Sequence, residues 1–313
     1  MTHATARERW RHLKKTKVLS IMMIPALVYF ILFHYVPLYG ILIAFKDFKM
    51  MAGYSFFESI MRADWIGFEH FKDFIYGANF WKLLRNTLLL SLYGMIFGFP
   101  LPILFALLLN EVRRLRYKKL VQTVSYLPHF ISVVAVVGMM KLLLSPENGL
   151  INQILHAWFG LDFHYYFGDA AWFRTLYVGS GIWQGLGWGA VIYIAALSKV
   201  DSDMYESSVL DGASRIRQMW HISLPAIRPT IMILLILEVG NFMSLGTEKI
   251  ILMYSPATYE TADVISTYVY RRGLVDMQFS FATAVGLFNS LINLVLLVTV
   301  NALSRKMTDE SLW

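Results

Sequence analysis

Residues 205–229, YESSVLDGASRIRQMWHISLPAIRP, decide how this chain is read. They form the longest polar-containing interruption in a sequence that otherwise alternates apolar runs with short loops. Tyr205 and Val209, with Leu210, fall on one face at helical spacing, while Glu206, Ser207 and Ser208 cover the other. Asp211-Gly212 is a turn signal, and the small Ala213 lets another backbone come close. Arg215, Arg217, Met219, Trp220 and Ile222 continue as a second amphipathic piece, which Leu224-Pro225 is expected to stop. Pro229 closes the stretch and an apolar run begins at Thr230. The expectation is a helix, a turn and a second short helix: a rigid, mostly polar knob held at both ends by apolar segments. Physics alone reads an interfacial loop with one helical turn equally well.

Working outward, the flanks are too apolar for a soluble domain. Of 313 residues, 57% are hydrophobic and 16% charged; a soluble domain has about half and about a quarter. The excess is gathered into runs at residues 18–45, 83–109, 120–144, 175–197, 230–252 and 280–303. Each is near the roughly 20 residues that a helix needs to cross a bilayer. The fold class expected is therefore all-α, a polytopic membrane bundle of six transmembrane helices. Residues 1–17 form a basic polar segment and 304–313 a short polar tail, which leaves 18–303 as one membrane domain with the knob region at 199–229. The first run is too long for a signal-peptide core and no small-residue cleavage pattern follows it, so it reads as an uncleaved span. Pro25, Pro37, Pro100, Pro102 and Pro128 interrupt the first three runs, and the fourth is rich in glycine. Irregular backbone at membrane depth is tolerated only where neighbouring helices or a cavity satisfy the freed groups. The bundle is thus expected to enclose something.

The net charge of +7 is explained by its placement. The N-terminal segment, the loop after the second run, the knob with its flanks and the tail hold six, five, four and two Lys or Arg. The loops between them hold fewer in total: four at residues 46–81, none at 145–173 and two at 253–279. The positive-inside rule then puts both termini and the knob in the cytoplasm, and a nucleic-acid patch is not needed to account for the basic excess. With no cysteine there is no disulfide, Cys-ligated zinc, iron–sulfur cluster or thiol nucleophile. No phosphate-binding GxxxxGK[ST] motif is present. His129, His156 and His164 are scattered, and no Ser/His/Asp set assembles. The chain is expected not to be an enzyme, to hold no metal or cofactor of its own, and to draw energy from a partner.

The knob resembles the EAA loop of ABC-importer permeases: Glu206, Asp211, Gly212, Ala213, Leu224, Pro225 and Pro229 match its pattern. Ser207-Ser208 stand where that family usually has two alanines. Further matches point to its carbohydrate-uptake branch, related to the maltose permeases. They are Trp65-Ile66-Gly67-Phe68-Glu69-His70-Phe71, Asn86-Thr87 at the head of the second run, and Trp183 and Leu197-Ser198-Lys199-Val200 ahead of the knob. TYETADVISTYVYRRGL at 258–274 and GLFNSLINLVLL at 286–297 are similar to the subgroup for oligosaccharides and polysaccharide fragments, alginate-type permeases included. The resemblance implies the type I importer architecture in a bacterial cell membrane. It also implies a second homologous permease, two copies of an ATPase that binds ATP and magnesium, and an extracytoplasmic sugar-binding protein. Glu206 would then meet the ATPase groove, and Asp211-Gly212 would shape the knob.

For the sugar itself, the fourth run offers Trp183-Gln184-Gly185-Leu186-Gly187-Trp188, with Gly185 and Gly187 leaving room for a ring. By alignment from Glu206, the resemblance puts Gln184, Gly185 and Trp188 at a sugar path. In the fifth run Glu238 and Asn241 lie three apart on one face, with Leu234 and Leu237 a turn earlier. A carboxylate in a span is costly and is a functional candidate by default. It would accept sugar hydroxyls but repel a uronate unless a cation offset it, which favours a neutral sugar. Helix packing of the glycines and tryptophans, and a structural pair for Glu238, remain the competing readings, and Asn289 and Asn293 either line the path or join helices. A permease for a peptide, amino acid or osmolyte is the nearest rival function, and a non-transporting membrane sensor or scaffold is the rival from another class.

Overall fold

The computed structural model describes residues 17–308, so the expectations for the basic segment before Lys17 and for the end of the tail lie outside the described residues. Among the described residues the backbone is helical almost throughout, and the β pairing is one isolated bridge between Lys46 and Trp65. Helix α1 (Lys17–Phe30) runs on through a π-helical turn at Ile31–Tyr35 and a 3-10 stretch at Val36–Phe45. Short helices α2 (Phe56–Arg62) and α3 (Glu69–Ile75) lead to α4 (Phe80–Tyr93), which continues through a π-turn at Gly94–Gly98 into α5 (Pro100–Asn110). Then come α6 (Leu115–Tyr126), α7 (Val133–Leu143), α8 (Leu150–Phe159) and the long α9 (Ala170–Leu197). The knob supplies α10 (Ser202–Leu210) and α11 (Arg215–Gln218), and a π-turn at Met219–Ser223 joins it to α12 (Leu224–Gly240). Helices α13 (Thr247–Met253), α14 (Tyr259–Ala262) and α15 (Ile265–Tyr270) precede α16 (Phe279–Thr308).

Five of these units are long and apolar enough to cross a membrane: Ile21–Phe45, Phe80–Asn110, Ala170–Leu197, Arg215–Gly240 and Phe279–Lys306. The third expected span is Leu115–Phe130 with Val133–Leu143, and it is bent by 97° at its break. The fifth departs from expectation at both ends. Leu224-Pro225 does not stop the knob's second helix; the helix passes through the π-turn and continues as the span. The same device recurs: π-turns at Ile31–Tyr35 and Gly94–Gly98 lie just before Pro37 and Pro100. Proline lacks an N–H and its ring collides with the carbonyl one turn back. A wider turn moves that carbonyl aside, so the helix carries on. The fifth span then ends at Gly240, where a Cβ would lie 2.8 Å from Leu297 Cδ1 on α16.

Helix α9 is the hub, packing on α5, α6, α12, α13 and α14. Ala106, Leu107, Ala190, Tyr193, Leu197 and Ile227 tie α5, α9 and α12 into one core, and Leu90, Val137, Phe173, Ile250 and Val264 build another. A buried polar hub closes the second. Asn86 Nδ2 donates to the Glu260 and Asp263 carbonyls (2.8 and 3.0 Å), and Arg271 Nη2 donates to Asp263 Oδ2 (2.8 Å). Breaking one partner of such a pair would strand the other charge in a buried site. The first span is the opposite case: across its most apolar stretch no residue is buried within the chain, as a lipid-facing helix requires, and only at its far end do Ile43 and Ala44 enter the core.

Candidate functional site

Two constructions stand out: the knob and a cavity beside α9. The knob's shape is written locally. Asp201 caps α10 by accepting from the Asp203 N–H (3.1 Å), and Ser214 caps α11 by accepting from the Arg217 N–H (3.4 Å). Between them the Gly212 N–H donates to the Val209 carbonyl (3.0 Å) and the Ala213 N–H to the Ser208 carbonyl (2.9 Å). This is the paired closure that ends a helix on a left-handed residue, and Gly212 has φ +73°. A side chain there would meet open space but would strain the backbone.

The two knob helices are pinned to each other and to the bundle. Gln218 Nε2 donates to Ser208 Oγ (2.8 Å), and the Tyr205 and Ser223 hydroxyls share a bond of 2.9 Å. Ser208, where a small residue was expected, thus faces the partner helix. Arg215 Nη1 donates to the Glu111 carbonyl (2.9 Å) at the end of α5. The expected face of Tyr205, Val209 and Leu210 is split: Tyr205 turns inward, while Leu210 is 89% exposed and Val209 is exposed with it. Glu206, Asp211 and Gly212 are exposed on the knob. Ala213 is half-buried, Leu224 packs into the core beside Ile227, and Pro225 begins α12.

The cavity, of about 550 Å³, lies where α9, α12 and the α4–α5 hinge diverge. That is within the roughly 300–1,000 Å³ of small-molecule sites. Gly181, Gly185 and Gly189 line it from one stripe of α9 at helical spacing, with Tyr177 and Tyr193. From α12 come Leu234, Leu237, Glu238 and Asn241, and from α13 Lys249. The Glu238 carboxylate makes no hydrogen bond or ion pair among the described residues; Asn241 Nδ2 donates to the Leu237 carbonyl one turn back (3.1 Å). A smaller cavity of about 210 Å³ shares Tyr177, Glu238 and Asn241 and reaches Ser91, whose buried hydroxyl has no partner among the described residues.

Of the residues expected on a sugar path, Gly185, Leu234, Leu237, Glu238 and Asn241 come together here. Trp183, Gln184 and Trp188 do not line the cavity. Gln184 Nε2 donates to the Ile131 carbonyl (2.8 Å), and Trp188 stacks on His129 at 4.7 Å with an interplanar angle of 5°. Both therefore support the bend of the third span. Gly187, expected to leave room for a ring, instead lets α9 cross α6: a Cβ there would collide with the Ser125 carbonyl oxygen. Asn289 and Asn293 join helices, with Asn293 Oδ1 accepting from the Met243 N–H at 2.8 Å. Sequence reasoning missed Tyr177, Gly181, Gly189 and Tyr193 on the wall, and the charged Lys249 beside Glu248, for which a lone cation ahead of the apolar IILM was the signal.

Comparison with known proteins agrees with this architecture. The chain is 43% identical over 297 residues to the polygalacturonan/rhamnogalacturonan transport system permease YteP of Bacillus subtilis (strain 168), covering 95% of this chain and 90% of that one. It superposes with a TM-score of 0.87 on a chain from the crystal structure of a bacterial ABC transporter involved in import of the acidic polysaccharide alginate. That chain is 42% identical, and the match covers 96% of this chain and 99% of that one. A second crystal structure, of a bacterial alginate ABC transporter in complex with a periplasmic protein bound to alginate pentasaccharide, matches with 40% identity. Its TM-score is 0.87, covering 97% of this chain and 99% of that one. Residues 98–309 match the model of the inner membrane component of binding-protein-dependent transport systems. The chain belongs to that family of transport permeases.

Proposed function

We propose that this chain is a permease subunit of an ATP-driven importer that takes up oligosaccharides or polysaccharide fragments by alternating access. The observation that carries the reading is its likeness, over nearly its whole length, to permeases of saccharide importers. The cavity and knob lend support because one chain carries both a mainly apolar chamber with a few polar groups between spans and a rigid exposed projection. In this reading the chain sits in a bacterial cell membrane with both termini and the knob inside, beside a second homologous permease. Glu206, Asp211 and Gly212 enter a groove of one of two ATPase subunits, whose closure moves the knob and with it α12 and the cavity wall. An extracytoplasmic binding protein delivers the sugar.

The test is reconstitution in liposomes with the neighbouring permease, the ATPase and the binding protein. Oligosaccharide-stimulated ATP hydrolysis that requires the binding protein is expected. Stimulation by peptides or osmolytes instead would move the reading to another solute, and failure to associate with an ATPase would leave a scaffold. Labelling of residues 145–173 from outside intact cells checks the orientation, and cytoplasmic labelling would reverse it.

A further inference from the structure

Resting on the oligosaccharide reading, we infer that Lys249 makes the cavity selective for anionic, uronate-bearing saccharides. In this arrangement a sugar carboxylate pairs with its ammonium while Glu238 accepts sugar hydroxyls.

The inference starts from a cation without a counter-charge. Lys249 is 9% exposed, and among the described residues it forms no ion pair. Its Nζ donates to the Tyr177 carbonyl (2.9 Å) and sits 4.8 Å from the centre of the Tyr177 ring. A carbonyl dipole and a ring face orient an ammonium but do not neutralise it. Buried charges are ordinarily paired, because desolvation outweighs what one hydrogen bond returns. Two of the three ammonium protons are left for another acceptor.

The nearest formal solution would be Glu238, which lines the same cavity, yet the two make no ion pair. The chamber therefore holds a separated cation and anion rather than a closed bridge. A neutral sugar can donate hydroxyls to Glu238 and accept from Lys249, but it leaves the ammonium without a counter-charge. A uronic acid carries both complements on one ring, hydroxyl donors for Glu238 and a carboxylate for Lys249. Charge-assisted hydrogen bonds of this kind are roughly twice as strong as neutral ones. The surroundings keep the ammonium in place and approachable. The Tyr177 hydroxyl accepts from the Gly246 N–H (3.1 Å), which ties the start of α13 to the residue that also holds Lys249. At Gly181 a Cβ would come within 3.4 Å of Nζ, and the bare glycine leaves that flank open. The expectation of a neutral sugar turned on the absence of an offsetting cation, and Lys249 supplies one. Import of an acidic polysaccharide by a transporter of matching structure agrees with this.

The test uses the full reconstituted complex, with short oligogalacturonates as the acidic probe and neutral oligosaccharides alongside. Lys249→Met is expected to raise KM for the oligogalacturonate about tenfold, the usual cost of losing one charge-assisted contact, with ATPase association unchanged. Lys249→Arg should restore most of it. Adding Glu238→Gln to Lys249→Met should bring KM back towards wild type, because it removes the opposing charge and keeps hydrogen bonding. If Lys249 merely anchors α13, Lys249→Met will lower complex yield or kcat for every substrate and Glu238→Gln will not rescue it, which overturns the inference. Transport of neutral oligosaccharides with an unaltered KM in Lys249→Met, and none of the acidic probe by wild type, would also overturn it while leaving the oligosaccharide reading intact. If no oligosaccharide of either kind stimulates the wild-type complex, the underlying reading itself fails.

Discussion

The knob and the cavity are built by opposite rules. Every bond that shapes the knob's turn joins residues within five positions of each other, from the Asp201 cap to the closure on Gly212. The cavity draws its wall from Gly94 to Lys249, through three spans and a short helix, and the bond that aims Lys249 crosses the fold. A local structure is carried by the identity of a few consecutive residues. An assembled one depends on where distant segments cross. Faults in the first should leave the bundle intact, whereas faults at a crossing should damage the bundle itself.

Gly187→Leu tests this most severely. A side chain would be driven into the Ser125 carbonyl oxygen, and overpacking of this kind costs roughly 1–3 kcal/mol or more. The expected outcome is a large fall in folded protein, read by detergent-solubilised yield and melting temperature. A well-folded variant would show that the α9–α6 crossing is not the wall's scaffold.

Gly212→Val should do the reverse. A left-handed conformation costs a β-branched residue roughly 1–2 kcal/mol, confined to the knob. Membrane insertion and melting should stay near wild type, while uptake falls about tenfold or more as docking geometry is lost. Unchanged uptake would remove the knob from coupling.

Glu238→Ala should raise KM for the sugar about tenfold with assembly unaffected, consistent with about 1.5–3 kcal/mol for a hydrogen bond to a charged group. Unaltered kinetics would take Glu238 off the path. Trp183→Ala should change uptake by less than about twofold, because an exposed residue outside the cavity wall touches none of these devices. A large effect on KM would put the tryptophan back beside the sugar.

What could be read from the sequence follows the same division. The helix–turn–helix of the knob was legible because Asp-Gly and the capping residues act on their own neighbours. Most of the spans were legible because a bilayer demands long apolar runs. Proline misled at the fifth span: Pro225 forbids a regular turn, and a widened turn is an alternative that residue patterns do not distinguish from a stop. On α9, adjacent positions face different partners. Gly185 opens on the cavity, while Gln184 and Gly187 serve the neighbouring bend and crossing. Which side of a helix meets the cavity is set by tertiary packing, and a motif spanning one turn cannot divide itself. Lys249 was missed for a related reason, since its significance lies in Tyr177 and Glu238, which are remote in sequence.

The widened turn at Met219–Ser223 also acts as a phase shifter between knob and chamber. A π-turn holds one residue more than the α-turn it replaces. Successive residues of a regular helix are about 100° apart. Everything downstream is therefore dialled round by about that angle relative to an uninterrupted helix. The setting that presents Glu238 to the cavity is thus chosen at the far end of α12, beside the knob. Deleting a single residue from that turn would leave the span's length and apolarity almost unchanged, yet it would rotate the carboxylate out of the chamber.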